Sequence, residues 1–235
     1  FGNPENPDVM GEFAESIQGI KEACEFLNYP VVSGNVSFYN GTNQKNINPT
    51  PVIGGVGLIS KLKKTINHLI TNENNLIYLI GKTFGHLHQS TFFEEIYSIY
   101  EGPPPEVNLL NERNNGQCIL KAINESLVEA SHDLSSGGLI VGLAEMTIGA
   151  KFGVKINKPK KLMNMSKYFF GEDQGRYLLE IKPSNASKIE ELFKNNSIHF
   201  EKIGITQRNF FELKDEFKID LKELYNLNNK WYHNY

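Results

Sequence analysis

The chain has 235 residues, 40% of them hydrophobic and 22% charged, which is enough to bury a core in one large or two small domains. A net charge of -3 argues against a nucleic-acid surface. No apolar run reaches the roughly 18 residues of a membrane span and no secretory signal opens the chain, so a cytoplasmic location is expected.

Taken in chain order, Asn6-Pro7-Asp8 predicts a helix start, with Asn6 as cap and Pro7 at the first helical position. Phe13, Ile17, Ile20, Cys24 and Leu27 recur at helical spacing and predict one buried face. Asn28-Tyr29-Pro30 stops this helix; Val31 to Ser33 and Pro51 to Ile59 read as strands, with Gly54, Gly55 and Gly57 permitting close backbone packing in the second. A polar, lysine-bearing stretch follows, and the boundary near His68 to Asn75 divides the chain into domains 1–70 and 71–235. Beyond it, Leu76 to Gly81 predicts a buried strand, Phe92 to Tyr100 an aromatic helix, and Gly102-Pro103-Pro104-Pro105 a stiff connector. Gln117 to Ala130 reads as a helix, Leu139, Leu143 and Met146 as the buried face of the next, and Tyr177 to Ile181 as a strand. A helix over Ala186 to Lys194 and a strand around Phe200 to Ile205 complete an α/β pattern without repeats or heptads.

Three segments carry residue types suited to chemistry. In Pro30 to Asn40, an apolar run empties into Gly34, which admits an anion close to the backbone, Asn35, whose amide oxygen suits magnesium, and Ser37, a hydroxyl donor. A plain Gly-Asn turn is the other reading. His132 to Gly138 places Asp133 and two serines before an apolar helix, fitting an anion with a bridging cation, or a helix cap at Asp133 or Ser135. Phe170-Gly171-Glu172-Asp173-Gln174-Gly175-Arg176 precedes a strand and reads either as a binding loop or as a charged loop with Arg176 paired at the surface. Less promising are His86-Leu87-His88, which lacks a third metal ligand, and Gly54-Gly55-Val56-Gly57, which lacks the ending of a phosphate loop. Cys24 and Cys118 read as packed thiols, and Trp231 and Tyr232 as residues that pack the tail.

These blocks, with Phe1-Gly2-Asn3-Pro4-Glu5-Asn6-Pro7 and Thr50-Pro51-Val52-Ile53-Gly54-Gly55-Val56-Gly57-Leu58, resemble in order and separation the C-terminal half of phosphoribosylformylglycinamidine synthase in its small, multi-subunit form. The resemblance runs from Phe1 almost to Tyr235 and marks the chain as a piece of a longer protein. It implies the second of two tandem units akin to aminoimidazole ribonucleotide synthetase, with part of a sheet-forming N-terminal-type domain followed by an α/β C-terminal-type domain. It further implies ATP-dependent conversion of formylglycinamide ribonucleotide (FGAR) and ammonia to formylglycinamidine ribonucleotide (FGAM), ADP and phosphate in purine biosynthesis.

On this resemblance Gly34 contacts ATP, Asn35 ligates Mg2+ and Ser37 contacts FGAR, while the catalytic histidines belong to the first unit, upstream of Phe1. Asp133, Glu172 and Gln174 become candidates for an auxiliary nucleotide site, and the isolated chain is expected to be inactive. The implied partners are the N-terminal half of the same subunit, a separate glutaminase subunit and a small accessory subunit, with neither nucleic acid nor membrane. Two other readings stay open: another ATP-dependent synthetase or kinase of the same superfamily, and a non-catalytic nucleotide-binding scaffold.

Overall fold

The computed structural model describes residues 1–43, 45–59, 61–159 and 164–233. It divides into two compact units, Phe1–Ser60 and Lys61–Tyr235.

In the first unit, helix α1 (Pro7–Leu27) starts where its signals lie: Asn6 Oδ1 accepts the Asp8 N–H at 2.9 Å, and Asn28 closes the helix in the left-handed conformation. Its apolar spacing forms a helix but not a buried face within this unit, because only Val9 is buried and Ile17 and Leu27 are exposed. A two-residue ladder pairs β1 (Gly41–Thr42) with β2 (Lys45–Asn46). The strands expected over Val31 to Ser33 and Pro51 to Ile59 do not form among the described residues. A strand needs a neighbour to take its N–H and C=O groups, and neither segment has one here. Val32 is 90% exposed and Leu58 97%. Nor do the glycines pack closely: a Cβ on Gly54 or Gly57 would meet nothing within 4 Å, and only Gly55 lies near a neighbour, the Tyr29 hydroxyl.

The second unit is built on a seven-stranded sheet in the order β4-β6-β3-β7-β5-β8-β9. The strands are β3 (Leu76–Ile80), β4 (Ala130–Asp133), β5 (Phe152–Ile156), β6 (Tyr177–Ile181), β7 (Phe200–Arg208), β8 (Phe210–Leu213) and β9 (Phe217–Asp220), all antiparallel to their neighbours except the parallel pair β5 and β8. Period-two alternation sends Ile77 and Leu79 to one face and Tyr78 and Ile80 to the other, so β3 is buried on both sides. The first face packs on α4 (Gly138–Thr147) and α5 (Met165–Phe170), with Leu139, Leu143 and Met146 fully buried. The second packs on α3 (Leu109–Asn124) and α6 (Ala186–Asn195) through Cys118, Ile119, Ala122, Ile189 and Phe193. The result is an α/β sandwich.

A charged residue interrupts the apolar pattern of β6. Glu180, on β6, is fully buried, and its carboxylate accepts the N–H groups of Thr71 and Asn72 at 2.9 and 3.1 Å and the Asn75 side-chain amide at 2.7 Å. The segment before β3 is thereby stitched into the second unit.

Two helices differ from expectation. The helix expected over Gln117 to Ala130 starts earlier, at Leu109, because Asn108 Oδ1 accepts the Asn111 N–H at 3.0 Å, and it ends at Asn124 so that Ala130 can enter β4. Trp231 and Tyr232 lie on α7 (Leu221–His233), largely exposed and ring against ring at 5.7 Å. The aromatic helix α2 (Thr91–Tyr97) is capped by Ser90, whose hydroxyl accepts the Phe93 N–H.

Candidate functional site

Gly34, Asn35 and Ser37 share one exposed loop of the first unit. The loop is anchored just after them. The Phe38 ring sits 5.1 Å from Phe13, the Tyr39 N–H donates to Gly2 O at 2.8 Å and the Asn40 N–H to Phe1 O at 3.1 Å. Asn40 Nδ2 also donates to Ser37 Oγ at 3.0 Å, fixing that hydroxyl. Ahead of this anchor the chain is open. A Cβ on Gly34 would meet nothing within 4 Å, and the Asn35 amide makes no hydrogen bond among the described residues. A bare backbone beside an unspent hard oxygen suits a phosphate with its cation. Asn35 offers one oxygen only, and no cluster of three metal-ligating side chains occurs among the described residues. An ion held here would complete its shell from phosphate and water, which magnesium favours.

The second unit brings the other two segments together. Register pairs Asp133 with Tyr177 across β4 and β6, so the loops 134–137 and 171–176 leave the sheet side by side, joined by Leu134 N–H to Arg176 O at 2.9 Å. Three charged side chains hold the loops internally. Glu172 Oε1 accepts the Gly137 N–H at 2.7 Å and the Thr91 N–H at 2.8 Å, so the protein's own carboxylate meets the N-terminal turns of α4 and α2. Asp173, 5% exposed, accepts the N–H groups of Phe84, Gly85 and His86 at 2.9, 2.9 and 3.1 Å.

Arg176 is only 1% exposed, which corrects the reading of a surface ion pair. Its guanidinium donates to Asp173 O, Thr83 Oγ1 and Gly171 O, and lies 3.9 Å from the Asp173 carboxylate. Burial pulls its pKa below the ordinary value, while Asp173, Tyr168 and Glu172 pull it back up. The capping reading is corrected as well. Gly137, at φ +79°, is the N-cap of α4, and neither the Asp133 nor the Ser135 side chain caps the helix, although Ser135 O accepts the Gly138 N–H at 3.1 Å. Only glycine holds that conformation cheaply. Asp133 is left exposed, its carboxylate 3.7 Å from His132 Nδ1. Gln174 also faces solvent, 3.5 Å from Glu172 O.

Gln174 borders a cavity of about 300 Å3 whose wall includes Glu106, Asn108, Asn111, Glu112 and Asp173. Burial pushes the Glu112 carboxyl above the ordinary range, opposed by hydrogen bonds from Tyr177 Oη and Gly175 N–H. Burial and the charges of Glu112 and Asp133 in turn raise the Tyr177 hydroxyl. Sequence reasoning missed Glu112, which lies in a polar run ahead of the expected helix. The available signal was Asn108, a cap residue at the start of that run.

His86 and His88 gather no third ligand among the described residues; His86 Nε2 lies 3.0 Å from Pro103 O, tying this segment to the proline connector. No helix among the described residues is long and apolar enough to cross a membrane.

Comparison with known proteins places these features in a family. The C-terminal domain of AIR synthase related proteins matches residues 72–213, and their N-terminal domain matches residues 1–59. The phosphoribosylformylglycinamidine synthase subunit PurL of Pelagibacter ubique is 44% identical over 100% of this chain and 32% of its own length. That of Bartonella bacilliformis is 40% identical over 99% of this chain and 31% of its own length. The chain thus spans about a third of the curated relatives it matches. Among solved structures, Thermotoga maritima PurL complexed with ATP shares the fold, with a TM-score of 0.56 at 14% identity over 70% of this chain and 28% of that one.

Proposed function

The chain belongs to the AIR synthase related family, in its phosphoribosylformylglycinamidine synthase branch, and from that premise we propose that it works as part of an ATP-dependent carbon–nitrogen ligase. In this reading the longer synthetase subunit converts FGAR, ATP and ammonia to FGAM, ADP and phosphate in the cytoplasm. The γ-phosphoryl group passes to the glycinamide carbonyl oxygen, ammonia adds at that carbon with loss of a proton, and the C–O bond breaks to release phosphate, leaving the amidine and an intact formyl group. Ammonia comes from a separate glutaminase subunit, with a small accessory subunit completing the assembly. Complexes of T. maritima PurL with ATP and with FGAR, and the PurLQS assembly from that organism, are the precedents for these ligands and for association with other subunits.

The chain's share of this chemistry is binding and orientation. Gly34 N–H approaches the ATP phosphates, Asn35 Oδ1 holds Mg2+, and Ser37 Oγ meets FGAR. Bound there, magnesium supplies charge neutralisation along the phosphates. Asp133 and Gln174 form the solvent-facing part of an auxiliary set whose third member, Glu172, holds its loop in place. The observation that carries the proposal is the open Gly34–Asn35 backbone ahead of the Phe38 anchor, in a chain 44% identical to a PurL along its whole length.

The test uses the longer synthetase subunit with ammonium as nitrogen source and ADP release as readout. FGAR-dependent ADP formation is expected, and Ser37→Ala should raise the KM for FGAR more than it lowers kcat, since a contact made equally in ground and transition states acts on KM. ADP release indifferent to FGAR would overturn the assignment.

A further inference from the structure

Asn40 is fixed by the protein itself. Its backbone N–H donates to Phe1 O at 3.1 Å, its carbonyl accepts the Ile47 N–H at 3.2 Å, and its side-chain Nδ2 donates to the same Phe1 O at 3.1 Å. The residue before it supplies the bend. Tyr39 stands at φ +59°, a conformation that a bulky side chain rarely adopts, and its N–H donates to Gly2 O at 2.8 Å. The bend returns the Asn40 amide to Ser37, three residues back, where Nδ2 donates to Oγ at 3.0 Å. The Ser37 backbone is held as well, its carbonyl accepting from the Phe1 nitrogen at 2.9 Å.

The direction of the Asn40–Ser37 contact follows from the atoms available. A backbone carbonyl can only accept, so the amide atom that faces Phe1 O is the nitrogen and not the oxygen. One amide hydrogen goes to Phe1 O and the other to Ser37 Oγ. Asn40 Oδ1 lies 3.4 Å from the hydroxyl, beyond the roughly 2.5–3.0 Å of an O–H···O bond, so it does not hold the Ser37 hydrogen. A hydroxyl has one hydrogen and two lone pairs. Asn40 occupies a lone pair and leaves the hydrogen to give, on a side chain that is exposed.

We propose that Asn40 is a positioning residue for the synthetase reaction: it makes Ser37 a hydrogen-bond donor, directed at an acceptor oxygen of FGAR and not at one of its N–H groups. The proposal rests on the reading of Ser37 as an FGAR contact and adds what sets the sense of that contact. A phosphate or carbonyl oxygen arriving at the loop meets a donor that needs no reorientation, which lowers the cost of binding.

Steady-state kinetics of the longer synthetase subunit, with ammonium as nitrogen source, test this on Ser37→Ala, Asn40→Asp and the variant carrying both. An aspartate only accepts, so it claims the Ser37 hydrogen for itself. Asn40→Asp should raise the KM for FGAR about as far as Ser37→Ala does, roughly 2- to 10-fold for one neutral hydrogen bond, with kcat and the KM for ATP moving by less than about twofold. In the Ser37→Ala background it should add nothing to the KM for FGAR, because the group it acts through is gone. A purely structural Asn40 would instead raise both Michaelis constants, and equally in either background. Asn40→Ala places no charge beside Phe1 O and guards against a misfolded aspartate variant; it should give a smaller rise with the same non-additivity. Additive effects, or a KM for FGAR that Ser37→Ala raises and neither Asn40 variant moves, would overturn the proposal and leave the Ser37 contact standing. A KM for FGAR unmoved by Ser37→Ala would refute that contact, and this proposal with it.

Discussion

Replacing Asp173 with asparagine should destabilise the second unit far more than a loop substitution ordinarily does. The native carboxylate accepts three backbone N–H groups and lies 3.9 Å from the buried Arg176 guanidinium. An asparagine keeps one acceptor oxygen and turns two N–H donors toward the remaining site. With the oxygen placed to serve Phe84 and Gly85, the new amide group faces the His86 N–H, donor against donor, and Arg176 loses its nearest negative charge. One unsatisfied buried donor costs about 1–3 kcal/mol and a weakened buried ion pair adds to it, for a loss of roughly 3–4 kcal/mol. For a unit of this size each kcal/mol lowers the melting temperature by about 2–4 °C, so a fall of roughly 6–16 °C is expected. Circular-dichroism melting of the chain measures it, with exposed Gln174→Ala as the control that should stay within about 0.5 kcal/mol. A Gln174-sized effect from Asp173→Asn would refute the view that this carboxylate organises the 84–86 backbone.

Two further outcomes follow from the same structure. Glu112 has its pKa raised by burial, so the folded state holds this proton more tightly than the unfolded chain. Its contribution to stability is fully present below the ordinary glutamate pKa of 4.5 and is lost as pH rises through the raised folded value. Glu112→Gln should flatten that part of the stability–pH curve, as urea unfolding between pH 4 and 8 would show, and an unchanged slope would contradict it. Cys118 is buried and its thiol pKa is raised by desolvation, so it should resist a thiol-reactive dye in the folded chain and react only on unfolding. Modification of Cys118 at the rate of a free thiol would count against the packing of α3 on the sheet.

What could be read from the sequence depended on how local the determining physics is. The first helix was legible because its cap, its proline and its apolar spacing lie within one segment. The same holds for the buried face of α4 and for the apolar runs of β3 and β6. Strands β5, β8 and β9 were not legible, since Gly153, Lys155 and Lys218 dilute short runs whose stability comes from pairing with distant segments. The reverse error, at Val31 to Ser33 and Pro51 to Ile59, has the same root: β-rich composition forms no strand without a ladder partner.

In the second unit the residue types of the loop 171–176 were noticed but their use was not. Glu172 and Asp173 meet backbone groups 81 and 88 residues away, and no local pattern shows which N–H groups a carboxylate will find. The Gly34–Ser37 loop is a different case: its exposed groups make few internal contacts, so what they bind is still read from their residue types alone.

The central claim is that Asn35 presents a magnesium-binding oxygen to the nucleotide in the longer synthetase subunit. Titrating magnesium in the ammonia-dependent reaction, at saturating ATP and FGAR, compares the unaltered protein with Asn35→Ala most directly. Loss of one charge-assisted contact, worth about 1.5–3 kcal/mol, predicts a magnesium requirement roughly 10- to 100-fold higher in the variant. Superimposable magnesium curves for the two proteins would contradict the account and return Asn35 to a residue of a surface turn.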